Sequence, residues 1–313
     1  MTSIIFHNTD NEKIRLDSYL SDKFEDMSRS RIQGLIKDGM ITVNGKTVKT
    51  GYNLIDGDII DTNIPEPEEI SIEAEDIPLD IVYEDDDVIV VNKPKDMVVH
   101  PANGHYSGTL VNALMYHCKD SLSGINGELR PGIVHRIDKD TTGLIIACKN
   151  DKAHNSIAEQ LAVHSIDREY IALCYGNIKE DSGTVNAPLA RNKTDRKLIS
   201  VCRDDEGKHA VTHYTVLERY PKVQGMSMPL TLVKCRLETG RTHQIRVHMS
   251  HIGHPLAGDE AYGIKKDPLN GRGQYLHAAV LGFIHPTTGE KLRFEAPLPD
   301  YFENTLNRLR RLS

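Results

Sequence analysis

The 313-residue chain has no tryptophan, aromatic residues make up only 5% of it, and its cysteines never pair as Cys-x-x-Cys. Cys118, Cys148, Cys174, Cys202 and Cys235 are scattered and odd in number, which argues against a disulfide framework or a cysteine zinc site. No apolar run approaches the about 20 residues of a membrane-spanning helix. The opening residues Met1 to His7 lack the layout of a signal peptide. A cytoplasmic globular protein with reduced thiols and no membrane contact is therefore expected. The sequence also lacks a GxxxxGK[ST] phosphate loop and a dinucleotide fingerprint, so neither nucleotide hydrolysis nor hydride transfer has its usual signature.

Basic charge is short overall, with 38 Lys and Arg against 45 Asp and Glu, a net charge of −7. The deficit is local. Residues 65–90 hold 11 acids and no Lys or Arg, which leaves a balance of +4 for the rest of the chain. A mildly basic body beside an acidic segment is compatible with a polyanionic partner on one face.

The pattern suggests three parts: a small module in residues 1–64 with its core in about 14–62, a linker in 65–80, and a large domain in 81–313. Proline and like charges between Pro65 and Glu69 read as a stiff, extended connection. Before it, a helix from Arg15 is followed by a second over residues 31–38, with Ser28 or Ser30 as candidate cap and Gly39 as its stop. Asn44-Gly45, between Ile41-Thr42-Val43 and Lys46-Thr47-Val48, predicts a hairpin, because both central residues accept positive φ. Arg29, Arg31, Lys37 and Lys46 are candidate nucleic-acid contacts, although scattered surface cations are usually just solvated.

In the large domain, strands are expected at 81–92 (broken by Asp85-Asp86-Asp87), 131–137, 144–148, 168–175, 211–217, 230–238 and 276–284. Helices are expected at 109–118, 151–163, 242–252 and 299–311. Without regular βαβ alternation, this predicts an α+β body with a mixed, mainly antiparallel sheet, preceded by the small α/β module.

One carboxylate stands out. Asp138 lies between Arg136 and Lys139, in a polar stretch bounded by Ile133-Val134 and by Leu144 to Ala147, with Gly143 at the exit. Such a residue can be a turn former, or a carboxylate held rigidly at a strand end and open to a ligand. Four blocks around it decide between these readings. His135 to Leu144 resembles the signature of the RluA-type pseudouridine synthases, and Arg168 to Leu173 is similar to that family's tyrosine segment. Gly240 to Met249, continuing through Gly253 to Gly263, resembles its third motif, and Asn92 to Pro101 its opening motif. The residue 1–64 module resembles the small ribosomal-protein-type RNA-binding domain often fused in front of such enzymes. With that module in front, the chain resembles the RluD-like synthases of large-subunit ribosomal RNA.

The resemblance implies isomerisation of uridine in RNA: the C–N glycosidic bond breaks, the uracil turns, and a C–C bond forms. That change is redox-neutral, and no cofactor or metal is implied. It makes Asp138 the catalytic carboxylate, as nucleophile on the ribose or as base removing a ribose proton. Arg246 becomes the cation that keeps Asp138 ionised, on a helix capped by Thr242 and burying Ile245, Met249 and Ile252. Tyr170, by its position in an apolar strand a core residue, becomes the ring that stacks on the uracil. Arg136 is read as filling the space left by the extruded base, with His135 and Lys93 as further RNA contacts. Where the family usually has Gly, this chain has Asp96, one of the few residue types tolerant of positive φ.

Two rivals follow from the same residues. His243, His248, His251 and His254 crowd one helix and its exit, but without His-Glu-x-x-His spacing or an acidic ligand among them a metal site is disfavoured. A non-catalytic RNA-binding or ribosome-assembly factor would have no need of Asp138. Ribosomal RNA is the expected partner, transfer RNA the alternative, and a monomer the expected state.

Overall fold

The computed structural model describes residues 2–8, 13–24, 27, 29–64, 72–101, 106–119, 121–125, 127, 130–221, 223–224, 226, 228–265, 267–269 and 273–313. They fall into two compact units, Met1–Ile70 and Ser71–Ser313.

The small unit contains β1 (Thr2–Ile5), α1 (Leu16–Lys23), α2 (Arg29–Lys37), β2 (Ile41–Val43) and β3 (Ile59–Thr62), with antiparallel strand order β1-β3-β2. Leu16 and Leu20 of α1 and Ile32, Leu35 and Ile36 of α2 repeat at helical spacing. They pack on Phe6, Ile41, Val43, Leu54 and Ile60. Asp17 is fully buried between the helices and accepts hydrogen bonds from Arg15, Arg29 and Gln33.

Two local expectations need correction here. The Asn44-Gly45 turn forms, with φ of 52° and 72°, but its ladder stops at one bridge, Val43 to Lys46. β2 pairs instead with β3, because Asn44 reaches across: its backbone N–H donates to Ile59, its Oδ1 accepts the Ile59 N–H, and its Nδ2 donates to Asp58. Ser30 lies inside α2, which begins at Arg29, while Ser28 and the Pro65 to Glu69 stretch lie outside the described residues.

The large unit runs β4 (Ile81–Glu84), β5 (Val88–Lys93), α3 (Leu110–Cys118), β6 (Thr142–Cys148), α4 (Asp151–Ala162), β7 (Asp167–Tyr175), β8 (Ser182–Asn186), β9 (Leu189–Arg191), β10 (Ile199–Val201), β11 (Val211–Tyr220), β12 (Leu230–Leu237), α5 (Gln244–His251), β13 (Leu276–Ile284), β14 (Lys291–Glu295) and α6 (Asp300–Leu312). Its nine-stranded sheet has order β4-β5-β6-β13-β7-β12-β11-β8, with β14 also on β13. Every pairing is antiparallel except β6 with β13, so the sheet is mixed and mostly antiparallel, as the sequence predicts. β9 and β10 form a separate ribbon.

The two-residue period of the strands sorts the core. Ile89, Val91, Ile145 and Ala147 face α3 and α5. Val88, Val90, Leu144 and Ile146 face the opposite way and pack with Ala153 and Ile157 of α4, while α6 covers Leu173, Tyr175, Leu230 and Leu232. With both faces covered, all seven residues of β6 are buried. Its Leu and Ile side chains are each worth roughly 1.5–3 kcal/mol relative to exposure.

Residues 131–137 are not a strand. Ile133 makes one bridge to Ala147, and then the imidazole of His135 accepts the Ile146 N–H at 3.2 Å, a donor that a neighbouring strand would otherwise take. Residues 72–80 are not linker either. Ile72 is buried in the core, Glu75 accepts the Gly108 N–H, and Asn112 donates to the Glu73 carbonyl, which seats the segment on α3.

Candidate active site

Asp138 is both turn former and half-buried acid with one edge open to solvent. Its carbonyl closes a turn by accepting the Thr141 N–H at 3.1 Å, and Gln274 donates to the Thr141 hydroxyl at 3.0 Å. The exit into β6 depends on Gly143, at φ +105°, where a Cβ would lie 2.3 Å from the Ala278 carbonyl oxygen. Only glycine allows β13 this close. On the entry side, Lys93 is wholly buried and donates to the carbonyls of Pro94, Met97 and Lys139 at 2.7–2.9 Å. Lys93 is therefore not an RNA contact: its ammonium ties the opening-motif loop to the backbone beside Asp138. Burial pushes it down to about 7, against the pull of Asp140, Asp138 and Asp96. Asp96, in that same loop, takes φ +65°.

α5 brings the cation. Its N-cap is His243 in the left-handed conformation, with no side-chain cap, so Thr242 does not have the capping role expected for it. Gln244 does the anchoring instead. It accepts from Thr239 and the Arg241 N–H and donates to Val211 and Thr212. Ile245 and Met249 are buried as expected, and Ile252 packs partly buried at the helix end. Arg246 donates from Nη1 to Asp138 Oδ2 at 2.8 Å, and from Nε and Nη2 to Asp259 at 2.7 and 2.8 Å. Asp259 is fully buried in its side chain and also accepts the Ala261 and Tyr262 N–H groups. Burial alone would raise its pKa; the Arg246 fork and charge outweigh that and hold it below the usual carboxylate range. Burial likewise works against the Arg246 charge, and the Asp259 hydrogen bonds and both carboxylates outweigh it and raise its pKa. The Tyr262 ring lies 5.1 Å from the guanidinium.

His243 Nε2 stands 3.7 Å from the second Asp138 oxygen, and its Nδ1 is 2.8 Å from the Tyr262 hydroxyl, which accepts the Ile199 N–H. Burial lowers the His243 pKa despite the nearby Asp138. Asp138 itself keeps 19% of its side chain exposed. It opens into a pocket of about 50 Å3 walled by Tyr170, Leu237, Ile245 and Leu276, beside a wider cavity of about 480 Å3. Tyr170, 8% exposed, reaches both from β7, and burial raises its hydroxyl pKa.

Arg136 is exposed at the rim and donates to His100, at 3.3 Å. Burial and the Arg136 charge push His100 down to about 4. His135 is half-buried, and burial with the Arg168 charge brings it to about 3, in keeping with its role as a neutral acceptor for Ile146. In the small unit Arg29 is exposed but paired to Asp17, while Arg31, Lys37 and Lys46 are exposed. The histidines weighed as metal ligands are dispersed among other partners. His248 bonds Thr212 and the Ala187 carbonyl, and His254 the Tyr175 carbonyl.

A family model for RNA pseudouridylate synthases matches residues 87–251, the span that carries Asp138, Tyr170 and Arg246. The chain belongs to this family. An S4 domain model matches residues 14–60 of the small unit, which makes this a RluD-type pseudouridine synthase with an N-terminal S4 RNA-binding domain. The synthase is 54% identical over 297 residues to an uncharacterised RNA pseudouridine synthase of Bacillus subtilis (strain 168), covering 95% of this chain and 94% of that one. It is 47% identical over 294 residues to the ribosomal large subunit pseudouridine synthase D of Zymomonas mobilis, covering 91% and 90%. Among solved structures, human RNA pseudouridylate synthase domain containing 1 matches with a TM-score of 0.57 and 25% identity, over 79% of this chain and 98% of that one.

Asp259 has no assigned role in the sequence reading, although it lies inside the quoted third block of the synthase. Its signal was an acid in a Gly-rich turn with no partner named for it. In the sequence His243 stands out only among candidate metal ligands, and Arg168 only as part of the tyrosine segment.

Proposed function

We propose that this synthase converts uridines of large-subunit ribosomal RNA to pseudouridine in the cytoplasm, with Asp138 as its essential residue. The observation that carries the catalytic part is the 2.8 Å bond from Arg246 to Asp138 in a cavity faced by Tyr170. Attack on the ribose and removal of a ribose proton both require an ionised carboxylate with one oxygen accessible. A guanidinium clamped on a second acid favours that state without sealing it. Tyr170 offers an apolar ring face for the uracil and a hydroxyl beside its ring carbons. The target base must leave its stack to enter, at a cost of a few kcal/mol, and Arg136 at the rim is suited to fill the gap.

The ribosomal target is supported by the large-subunit synthases among the relatives and by the S4 domain. The test is a pseudouridine map of total RNA from cells with and without the gene. Sites lost from large-subunit RNA alone support the proposal, and sites lost only from transfer RNA overturn its target. In the same cells Asp138→Asn is expected to restore no site while purified mutant binds RNA within about threefold of wild type. Pseudouridine formed by the mutant at the wild-type rate would reject Asp138 as the essential residue.

A further inference from the structure

Arg168 is the least satisfied buried cation among the described residues of the large unit. It is 7% exposed, and its Nε is sealed from solvent without a hydrogen-bond partner. Its guanidinium fits under Gly240, where a Cβ would lie 2.5 Å from Nη1. It lines the 480 Å3 cavity together with Asp138, Arg136 and Arg241. The one carboxylate of that wall, Asp138, is already bonded by Arg246. His135 is spent on the Ile146 N–H, and the α4 wall, with Ala158, Leu161 and Ala162, offers no side-chain acceptor. A buried guanidinium with donors left over is costly unless an acceptor arrives with a ligand.

The charge of that acceptor can be argued. Arg136, Arg168, Arg241 and Arg246 surround the site against Asp138 and Asp259, an excess of two positive charges that a neutral uracil leaves uncompensated. Position agrees. Arg168 and Tyr170 are alternate residues of β7 and share a face, roughly 7 Å apart along the strand. A nucleotide with its base on Tyr170 carries its backbone at about that remove.

We propose that Arg168 is a buried phosphate-binding residue, which grips a phosphodiester flanking the extruded uridine and so sets how deep the nucleotide sits over Asp138. A planar fork in a low-dielectric wall suits bidentate phosphate recognition. This inference rests on the reading of the Asp138 cavity as the active site.

The test is a double-substitution cycle on a short RNA that holds one mapped target uridine. The phosphate on its 5′ or 3′ side is replaced by a neutral methylphosphonate, and the enzyme carries Arg168→Met or Arg168→Lys. At one of the two positions the wild type should lose at least tenfold in kcat/KM, mostly through KM. Arg168→Met should lose as much on native RNA, and the two changes together no more than about threefold beyond either alone. Arg168→Lys, which keeps the charge without the fork, should fall between. Losses that multiply would overturn the proposal, because the guanidinium would then serve the base or the fold. The wild-type measurement needs no variant, so a loss below threefold at both positions overturns it even where Arg168→Met does not fold. Asp138→Asn keeps the two readings apart. If that variant still turns over, the active-site assignment fails; if it is inert while the losses multiply, only the phosphate site fails.

Discussion

Replacing Asp259 by Asn tests whether Arg246 is held in place by its second carboxylate. Asp259 accepts four hydrogen bonds, two from Arg246 at 2.7 and 2.8 Å and two from backbone N–H groups at 3.0 Å. If the amide oxygen stays at Oδ1, which takes Nη2 and both backbone groups, the amide N–H faces Nε–H and the fork is lost. Breaking a buried ion pair from one side costs about 3–5 kcal/mol. Asp138 remains as a partner, so the lower end applies, about 3 kcal/mol. For a unit of this size that is a fall of roughly 6–12 °C in Tm. Catalysis should suffer beyond stability. A guanidinium released from Asp259 can turn wholly onto Asp138 and occupy the oxygen meant for the ribose, and a displacement of this kind costs about a hundredfold in kcat. Scanning calorimetry and single-turnover pseudouridine formation, well below the mutant's Tm, separate the two effects. The sign in pH is fixed as well. A carboxylate depressed in the folded state contributes stability above its unfolded pKa of about 3.9 and loses it as pH falls. The Tm gap between wild type and Asp259→Asn should therefore narrow from pH 5 towards pH 3. A mutant within threefold of wild-type kcat, or a gap unchanged down to pH 3, would refute the clamp.

Gly143→Ala should lower Tm by at least 8 °C or leave the protein insoluble, because its Cβ would meet both the carbonyl and the N–H of Ala278 at a positive φ; a Tm within 2 °C of wild type would contradict this. Lys93→Met leaves three loop carbonyls without a donor, at about 1–3 kcal/mol each, and should cut kcat at least tenfold while RNA affinity moves less than threefold. A neutral amine has two N–H groups for those three carbonyls, so wild-type kcat should decline as pH rises through about 7. Because the unfolded chain keeps that proton up to about pH 10.4, the contribution of Lys93 to stability rises over the same window. A kcat profile flat from pH 6.5 to 9 would count against this role for Lys93.

What the sequence disclosed and what it hid differ in the range of the interactions involved. Strands and helices with a clear period, such as β5, β7, β12 and α4, were legible because each carries its own buried face. The short strands β8, β9, β10 and β14 carry at most five residues each, so even the strict alternation of Lys291 to Glu295 in β14 spans too few residues to mark a strand. Residues 131–137 misread for the opposite reason. Their apolar run is real, but a histidine side chain satisfies the β6 backbone there, and a period of two cannot distinguish that from a ladder. Lys93 misread because a lysine beside a motif suggests a ligand contact, whereas its depth depends on three carbonyls from two loops distant in sequence.

The proposed catalytic group shows the same division. Asp138, Tyr170 and Arg246 stood out through their blocks, yet the second acid that holds Arg246 is Asp259, 13 residues further on and past the end of α5. One arginine shared between two carboxylates leaves the site with a net negative charge before the rim is counted. The surrounding guanidinium groups of Arg136, Arg168 and Arg241 reverse that sign. Arg246 is bonded to both inner acids, and under the proposed function the excess positive charge further out is free to attract the RNA backbone. Neutralising the inner acid with the outer cations would serve neither purpose. The buried Asp259 therefore matters to both, because it keeps Arg246 engaged inward while Arg168 stays unpaired.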